Sequence, residues 1–350
     1  MKKIKGPAIF LAQFISDTAP YNTLDGLAKW ASDKGFRAVQ IPTLNPEIFD
    51  LEKAANDLEY CKTITSLLKK HGLQISELST HLQGQMFAVH PAYAELMDQF
   101  VPDEVKGNSE ARLEWAQNQL RLAAKASHNL GLTAHATFSG SLLWPFVYPW
   151  PQRPKNLVED GFKELAKRWM PILDEFDRYG VDVCYELHPG EDLFDGATFE
   201  RFLVEVNHHP RANVLFDPSH LHLQGIDYLG FIDRFHTRIK AFHVKDAEFN
   251  PSATQGVFSG YADWVNRAAR FRSLGDGQID FKSIFSKLVQ YNYEGWAVLE
   301  WECCLKDSEQ GAEEGAAFIE SMLFNPTQKA FDDFASGSGS DTLNKRLLGL

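Results

Sequence analysis

Val181-Asp182-Val183-Cys184-Tyr185-Glu186-Leu187-His188 is an apolar, β-prone run that ends on a carboxylate and an imidazole. The pattern returns three times, closing on Phe216-Asp217-Pro218-Ser219-His220, on Phe242-His243-Val244-Lys245-Asp246 and on Leu299-Glu300-Trp301-Glu302. Short apolar runs of this kind, bounded by turn residues, read as buried strands. They recur about every 25 to 60 residues, the spacing of successive βα units with insertions. If these strands share one barrel, Glu186, Asp217, His243 and Glu300 converge at the mouth formed by the strands' C-terminal ends. Two Glu, one Asp and one His make a hard, oxygen-rich set that suits a divalent cation.

Outward from these four runs, strand-like and helix-like segments alternate along the chain. Strands are predicted at Pro7–Phe14, Arg37–Ile41, Leu73–Thr80, Leu132–Phe138, Val181–Leu187, Ala212–Asp217, Ile239–Val244 and Trp296–Trp301. Helices are predicted at Leu24–Lys34, Leu51–His71, Ser109–Leu130, Lys155–Tyr179, Ala197–Asn207, Tyr228–Phe235, Ile279–Gln290 and Glu313–Leu323. Gly35, Gly72, Gly131 and Gly180 stop the first four helices. Eight βα units in one chain predict an α/β fold, a (β/α)8 TIM barrel over residues 1–325. A C-terminal extension, 326–350, follows, with Ser336-Gly337-Ser338-Gly339-Ser340 as a spacer before a short helix at Leu343–Leu348.

Three connections exceed what a minimal barrel needs. Residues 81–108, 139–154 and 246–278, after strands three, four and seven, are rich in Phe, Trp, Tyr, Pro and Gly. Loops on that side build the site of a TIM barrel, so these long aromatic-rich βα loops read as substrate walls or lids, with oligomer contacts, in a homo-oligomer, as the rival reading. Phe87, Trp144, Phe146, Tyr148, Trp150, Phe258 and Trp264 supply rings suited to stacking on a sugar or aglycone.

Composition narrows the function classes. The 350 residues carry a formal net charge of −12, which argues against nucleic acid as a partner because phosphate backbones are held by Lys and Arg clusters. No apolar run approaches the ~18 residues of a membrane span. The basic start at Met1-Lys2-Lys3-Ile4-Lys5 leads into too short an apolar stretch for a secretory signal. The four cysteines form no CxxC pair; Cys184 lies inside a strand as a packing thiol, and a reducing cytoplasm is the expected location.

With the strand ends placed, the chain resembles the sugar phosphate isomerase/epimerase family of the xylose-isomerase-like TIM-barrel superfamily, which also shares the fold of endonuclease IV (AP endonuclease family 2). The residues that carry the resemblance are Glu186, Asp217-x-x-His220, His243, Glu300 and the Leu274-Gly275-Asp276-Gly277-Gln278-Ile279-Asp280-Phe281 stretch. It implies that Glu186, Asp217, His243 and Glu300 bind one divalent metal ion, Mn2+, Mg2+ or Co2+, with Zn2+ as a further option. A metal-chelated carbonyl acidifies the neighbouring C–H, which one carboxylate removes and a second returns. Glu186 and Glu300 are the candidate catalytic pair as well as ligands.

Around them stands a second set of candidates. His188 and Glu302 lie two residues past a ligand and so share its side of the strand. His188, His220, Lys245, Arg272, Trp144 and Glu302 are read as substrate-binding, each against a structural alternative. His81 and His135 sit near the ends of strands three and four, where endonuclease IV has zinc-binding histidines; here they are read as substrate-binding or proton-donating. The Asp-x-His pair that the nuclease family carries after its strand-seven His is absent between His243 and Gly277.

The expected function is a metal-dependent isomerase or epimerase of a sugar or keto-sugar acting by proton abstraction next to a carbonyl. The alternative is a lyase or deglycosidase that eliminates the aglycone from a 3-oxo-glycoside. A multi-zinc phosphoesterase or endonuclease and a non-catalytic sugar-binding barrel rank below both. The expected partner is a small-molecule carbohydrate.

Overall fold

A computed structural model describes residues 3–327 and 340–350. Eight parallel strands close into a barrel: β1 (Lys5–Phe10), β2 (Ala38–Pro42), β3 (Gln74–Thr80), β4 (Ala134–Thr137), β5 (Asp182–Glu186), β6 (Ala212–Phe216), β7 (Ile239–Val244) and, eighth in the ring, β10 (Trp296–Leu299). Strand β10 pairs with both β7 and β1, so no edge is left open. Between β7 and β10 the chain adds β8 (Asp246–Phe249) and β9 (Ala269–Arg272), an antiparallel pair outside the barrel. The expected (β/α)8 barrel is therefore present.

Strand phase decides what reaches the mouth. Ala134, Ala136, Cys184, Leu215 and Ala241 pack on one another inside the barrel. Two residues on from Cys184, Leu215 and Ala241 come Glu186, Asp217 and His243, so these inherit the inward direction. The alternate residues face the helices. Phe242 is fully buried against Phe216, Phe285 and Tyr293, with ring centroids 5.7, 5.5 and 6.4 Å away. Helix Phe281–Gln290 buries Phe281, Ile284, Phe285, Leu288 and Val289, an i, i+3, i+4, i+7, i+8 stripe. Each such side chain contributes roughly 1.5–3 kcal/mol. This packing fixes the rotation of β7 and with it the aim of His243.

Several boundaries differ from expectation. The predicted helix Leu51–His71 is two, Leu51–Asn56 and Leu58–Lys70, because Asp57 is extended (φ −130°, ψ 107°) and its side chain accepts from the Glu59 N–H. The last barrel helix starts earlier, at Ser308, where Asp307 caps the amides of Glu309 and Gln310. A short helix, Pro218–Leu223, was not expected; Asp217 caps it through the Ser219 N–H while also facing the mouth. Gly180 ends helix Leu157–Tyr179 as expected, at φ +69°. The C-terminal helix runs over Asp341–Leu348, while the spacer expected at 336–340 lies outside the described residues except for Ser340, which caps that helix. Among the described residues no helix is long and apolar enough to cross a membrane.

Candidate metal centre

Glu186, Asp217, His243 and Glu300 are all buried, and one ligand atom from each falls within 4.8 Å of the others. Glu186 comes from the end of β5, His243 from β7, and Asp217 and Glu300 from the first positions past β6 and β10. Glu300 Oε2 lies 3.0 Å from His243 Nδ1. Glu186 Oε1 lies 3.3 Å from His220 Nε2 and 3.5 Å from His243 Nδ1, yet it has no hydrogen bond of acceptable geometry. Asp217 Oδ2 is orphaned in the same way, 3.3 Å from His220 Nε2. Unpartnered carboxylate oxygens in a buried site are costly, and here they turn towards a common centre. The four residues could hold a divalent ion, and their hard donors favour one of the Mg2+, Mn2+ or Co2+ type.

Lys245 sits among the same carboxylates. Its Nζ is 3.2 Å from Glu300 Oε2, 2.6 Å from Glu302 Oε2 and 3.8 Å from Asp217 Oδ2, and 4.2 Å from the Phe271 ring. Burial opposes its charge, but Glu300, Glu302 and Asp217 outweigh burial and raise its pKa well above the usual lysine range. His243 follows the same logic: burial opposes the imidazolium, and Glu300 with Glu186 lifts it to about 10. Glu300 is held low, since Lys245 and His243 overcome burial and the nearby Glu186 charge. Asp217 goes the other way, raised by burial despite His220 and Lys245. The centre is thus a compensated array in which two positive groups share one space with three carboxylates. A bound divalent ion requires His243 to give up its proton.

Two amide side chains orient members of the quartet, and a backbone wrap fixes the adjoining Asp246. Gln40 Oε1 lies 2.9 Å from His243 Nε2 while its Nε2 donates to Glu77 Oε2 at 3.2 Å, deeper in the barrel. That leaves Nδ1 of His243 to face the quartet. Gln13 Nε2 donates to Glu300 Oε1 at 3.1 Å. The Gly275–Phe281 stretch wraps around Asp246, whose carboxylate accepts from the amides of Ala247, Gly275, Gly277 and Ile279 at 2.8 to 3.3 Å. A Cβ on Gly277 would stand 2.1 Å from Asp246 Oδ1, so the wrap needs glycine there.

Among the remaining expected residues, His81, His188, His220, Lys245 and Glu302 gather at the centre. His81 Nε2 is 2.9 Å from Glu186 Oε2. The His188 ring lies 4.1 Å from that of His220, and its Nδ1 donates to Pro189 O at 2.6 Å, which leaves Nε2 as an acceptor. Burial first, then the nearby His220, takes His188 down to about 3, so its ring is neutral. Trp144 stands on the rim in a cavity it shares with His188.

Two expected residues are elsewhere. His135 has the opposite phase to Ala134 and Ala136, so it points at the helix layer, where Thr80 Oγ1 (2.7 Å) and Ser127 Oγ (3.1 Å) occupy both its nitrogens and Phe176 covers it. It is a structural histidine. Arg272 lies on the far face of β9 and pairs with Glu248 Oε2 at 2.7 Å; its neighbour Phe271 is the residue that turns to the centre. Of the loop aromatics, Phe87 is fully buried against Trp169 and cannot stack on a ligand. Gln13, Gln40, Glu77 and Glu191 were not anticipated. The only sequence signal for Gln40 and Glu77 is that each is a polar residue inside an otherwise buried strand.

The sequence model of the xylose isomerase-like TIM-barrel family matches residues 28–322. An inosose dehydratase of Lacticaseibacillus casei is 29% identical over 152 residues, covering 42% of this chain and 49% of the relative. One from Geobacillus kaustophilus is 26% identical over 213 residues, covering 59% and 68%. The match spans about half the length of the first of these relatives. The crystal structure of a 3-keto-D-glucoside 4-epimerase from E. coli superposes with a TM-score of 0.62 at 15% identity, covering 92% of this chain and 100% of that one, a likeness of fold.

Proposed function

The chain belongs to the xylose isomerase-like TIM-barrel family, and on that premise we propose that it is a divalent-metal-dependent enzyme that abstracts a proton next to the carbonyl of a cyclic keto-sugar. The observation that carries the proposal is the buried quartet of Glu186, Asp217, His243 and Glu300, with two carboxylate oxygens lacking partners. A divalent ion held there would polarise a substrate carbonyl and acidify the adjacent C–H.

The chain's own residues supply the rest. Glu186 and Glu300 come from strands separated in the ring by β6 and β7, so they approach a bound sugar from different sides. One takes the proton and the electron pair of the C–H bond passes towards the carbonyl oxygen. The other, after taking up a proton from solvent, can deliver it to the opposite face, which inverts the centre, or to the former carbonyl carbon while the adjacent hydroxyl passes its proton to the former carbonyl oxygen, which moves the carbonyl one carbon along the ring. Gln13 holds Glu300 and His81 stands 2.9 Å from Glu186, while Lys245 offsets the negative charge as it develops. His188 and Glu302 stand beside the quartet to meet sugar hydroxyls.

The expected isomerase or epimerase is one outcome of this first step. Elimination is the second reading, and the relatives named inosose dehydratase favour it specifically. There the electron pair forms a C=C bond and a hydroxyl or alkoxyl group on the β carbon departs with its bonding pair, taking up a proton. Metal analysis with a Glu300→Gln variant tests the proposal. One divalent ion per chain is expected, with weakened binding and turnover lowered about 10²- to 10⁴-fold in the variant. Three zinc ions per chain, or unchanged turnover, would remove it.

A further inference from the structure

Two separate cavities flank the quartet. One, of about 270 Å3, is lined by Gln85, His90, Ser141, Trp144, His188 and Glu191 and reaches the centre through His188. The other, of about 400 Å3, is walled by Trp264, Phe271 and Trp301, with Gln13 and Glu302 at its inner end. Those last two touch the centre directly, Gln13 through Glu300 and Glu302 through Lys245.

Both lobes combine apolar walls with a few polar groups. In the first, Gln85, Ser141, His188 and Glu191 can meet sugar hydroxyls between the apolar Val89, Met97 and Pro189. In the second, Trp264 lies over Phe271 with ring centroids 4.8 Å apart and an interplanar angle of 30°, and Arg267 covers Trp264 at 5.1 Å. Phe271 in turn contacts His220 and Lys245. At the inner end Gln13 Oε1 is buried without a hydrogen-bond partner, because the amide's NH2 is committed to Glu300. A buried acceptor at the junction of an aromatic slot and a metal centre suits a hydroxyl or phenol on a bound molecule. A free single-ring keto-sugar would fill one lobe and leave the other idle.

We infer that the Trp264–Phe271–Trp301 cavity is an aglycone subsite, so that the substrate is a keto-sugar joined through a glycosidic link to a flat, apolar ring. This rests on the proton-abstraction reading for its chemistry, with the sugar in the His188 lobe and over the quartet. The binding claim stands on the cavity alone and can be tested without turnover.

Calorimetry on the Mn2+-loaded protein compares 4-nitrophenyl β-D-glucoside with methyl β-D-glucoside, neither of which carries the ketone. The aryl glycoside is expected to bind about tenfold tighter or more, the scale of one well-stacked ring. Trp264 is half exposed, so Trp264→Ala leaves the core intact; it should bring the two affinities to within about threefold of each other. Trp144→Ala, in the other lobe, should weaken both alike and keep the ratio. Equal affinities in the native protein, a ratio that survives Trp264→Ala, or one lost only in Trp144→Ala would overturn the assignment. Deuterium exchange on the 3-oxo forms of the same glycosides reads the chemistry separately. No exchange with an intact aryl preference defeats the proton-transfer reading, and exchange with no preference defeats the subsite.

Discussion

Replacing Lys245 by methionine removes the cation nearest the quartet while keeping most of the side chain's volume. In the native protein the ammonium lies within 3.8 Å of three carboxylates, and the side chain is only 2% exposed. At an effective dielectric near 20 each contact is an attraction of about 4–6 kcal/mol, offset by several kcal/mol for burying each charge. Removing one partner of a buried pair costs about 3–5 kcal/mol. Glu302 is 39% exposed and regains water when Lys245 is gone, so the lower end, about 3 kcal/mol, applies here. At about 2 °C per kcal/mol for a chain of this size, the metal-free variant should melt about 6 °C below the native protein. Metal binding should move the opposite way, because the ammonium repels a divalent ion from the same carboxylates. The Lys245→Met variant is expected to bind Mn2+ about tenfold tighter, a difference of about 1.4 kcal/mol. Thermal melts of metal-stripped protein, with and without Mn2+, read both numbers. A variant as stable as the native protein without metal, or one that binds Mn2+ more weakly, would refute the electrostatic account of the centre.

Three more outcomes follow from the geometry. Gln40→Leu should lower metal affinity about 10- to 100-fold, as loss of a hydrogen bond that orients a ligand does, and unchanged affinity would mean that Gln40 does not set the His243 ring. His135→Ala should destabilise the fold by about 2–4 kcal/mol through a lost hydrogen bond and a cavity, with calorimetry showing the same Mn2+ affinity; a drop in affinity would restore His135 to the site. Glu191 is fully buried, and burial with the adjacent Asp192 charge pushes its carboxyl up to about 8. Its folded pKa exceeds its ordinary value of 4.5, so between these values the unfolded chain binds fewer protons than the folded one and stability falls as pH rises. Glu191→Gln should flatten that decline in a series of melts from pH 5 to 8, and a slope identical to the native one would contradict it.

The barrel was legible because each strand carries both a burial signal and a stop signal, and the glycines at 35, 72, 131 and 180 punctuate the helices between them. The quartet was legible because its members follow their strands' inward phase. That same phase would have excluded His135, which alternates with Ala134 and Ala136, and it separates Phe271, which faces the centre, from Arg272, which does not. Neither conclusion was available before the inward face of β4, or the existence of the β8–β9 pair, was known. Gln13 and Gln40 stayed hidden for another reason: a lone amide carries no pattern, and its meaning comes from contacts to Glu300 and His243 made across 287 and 203 residues of chain. Among the loop aromatics Phe87 is the one that packs inward, since a ring in an insertion can fill the space under its own loop, as it does on Trp169.

The central claim is that the quartet, with metal bound, removes a proton next to a carbonyl. Its most direct test incubates the Mn2+-loaded protein with cyclic keto-sugars, 2-inosose and 3-oxo-glucosides among them, in D2O and follows the carbon beside the carbonyl by NMR. Deuterium should enter at that carbon with the loaded protein, and the rate should collapse after chelation and in the Glu300→Gln variant. Absence of deuterium from every such sugar with metal bound, or incorporation that survives chelation, would contradict the account.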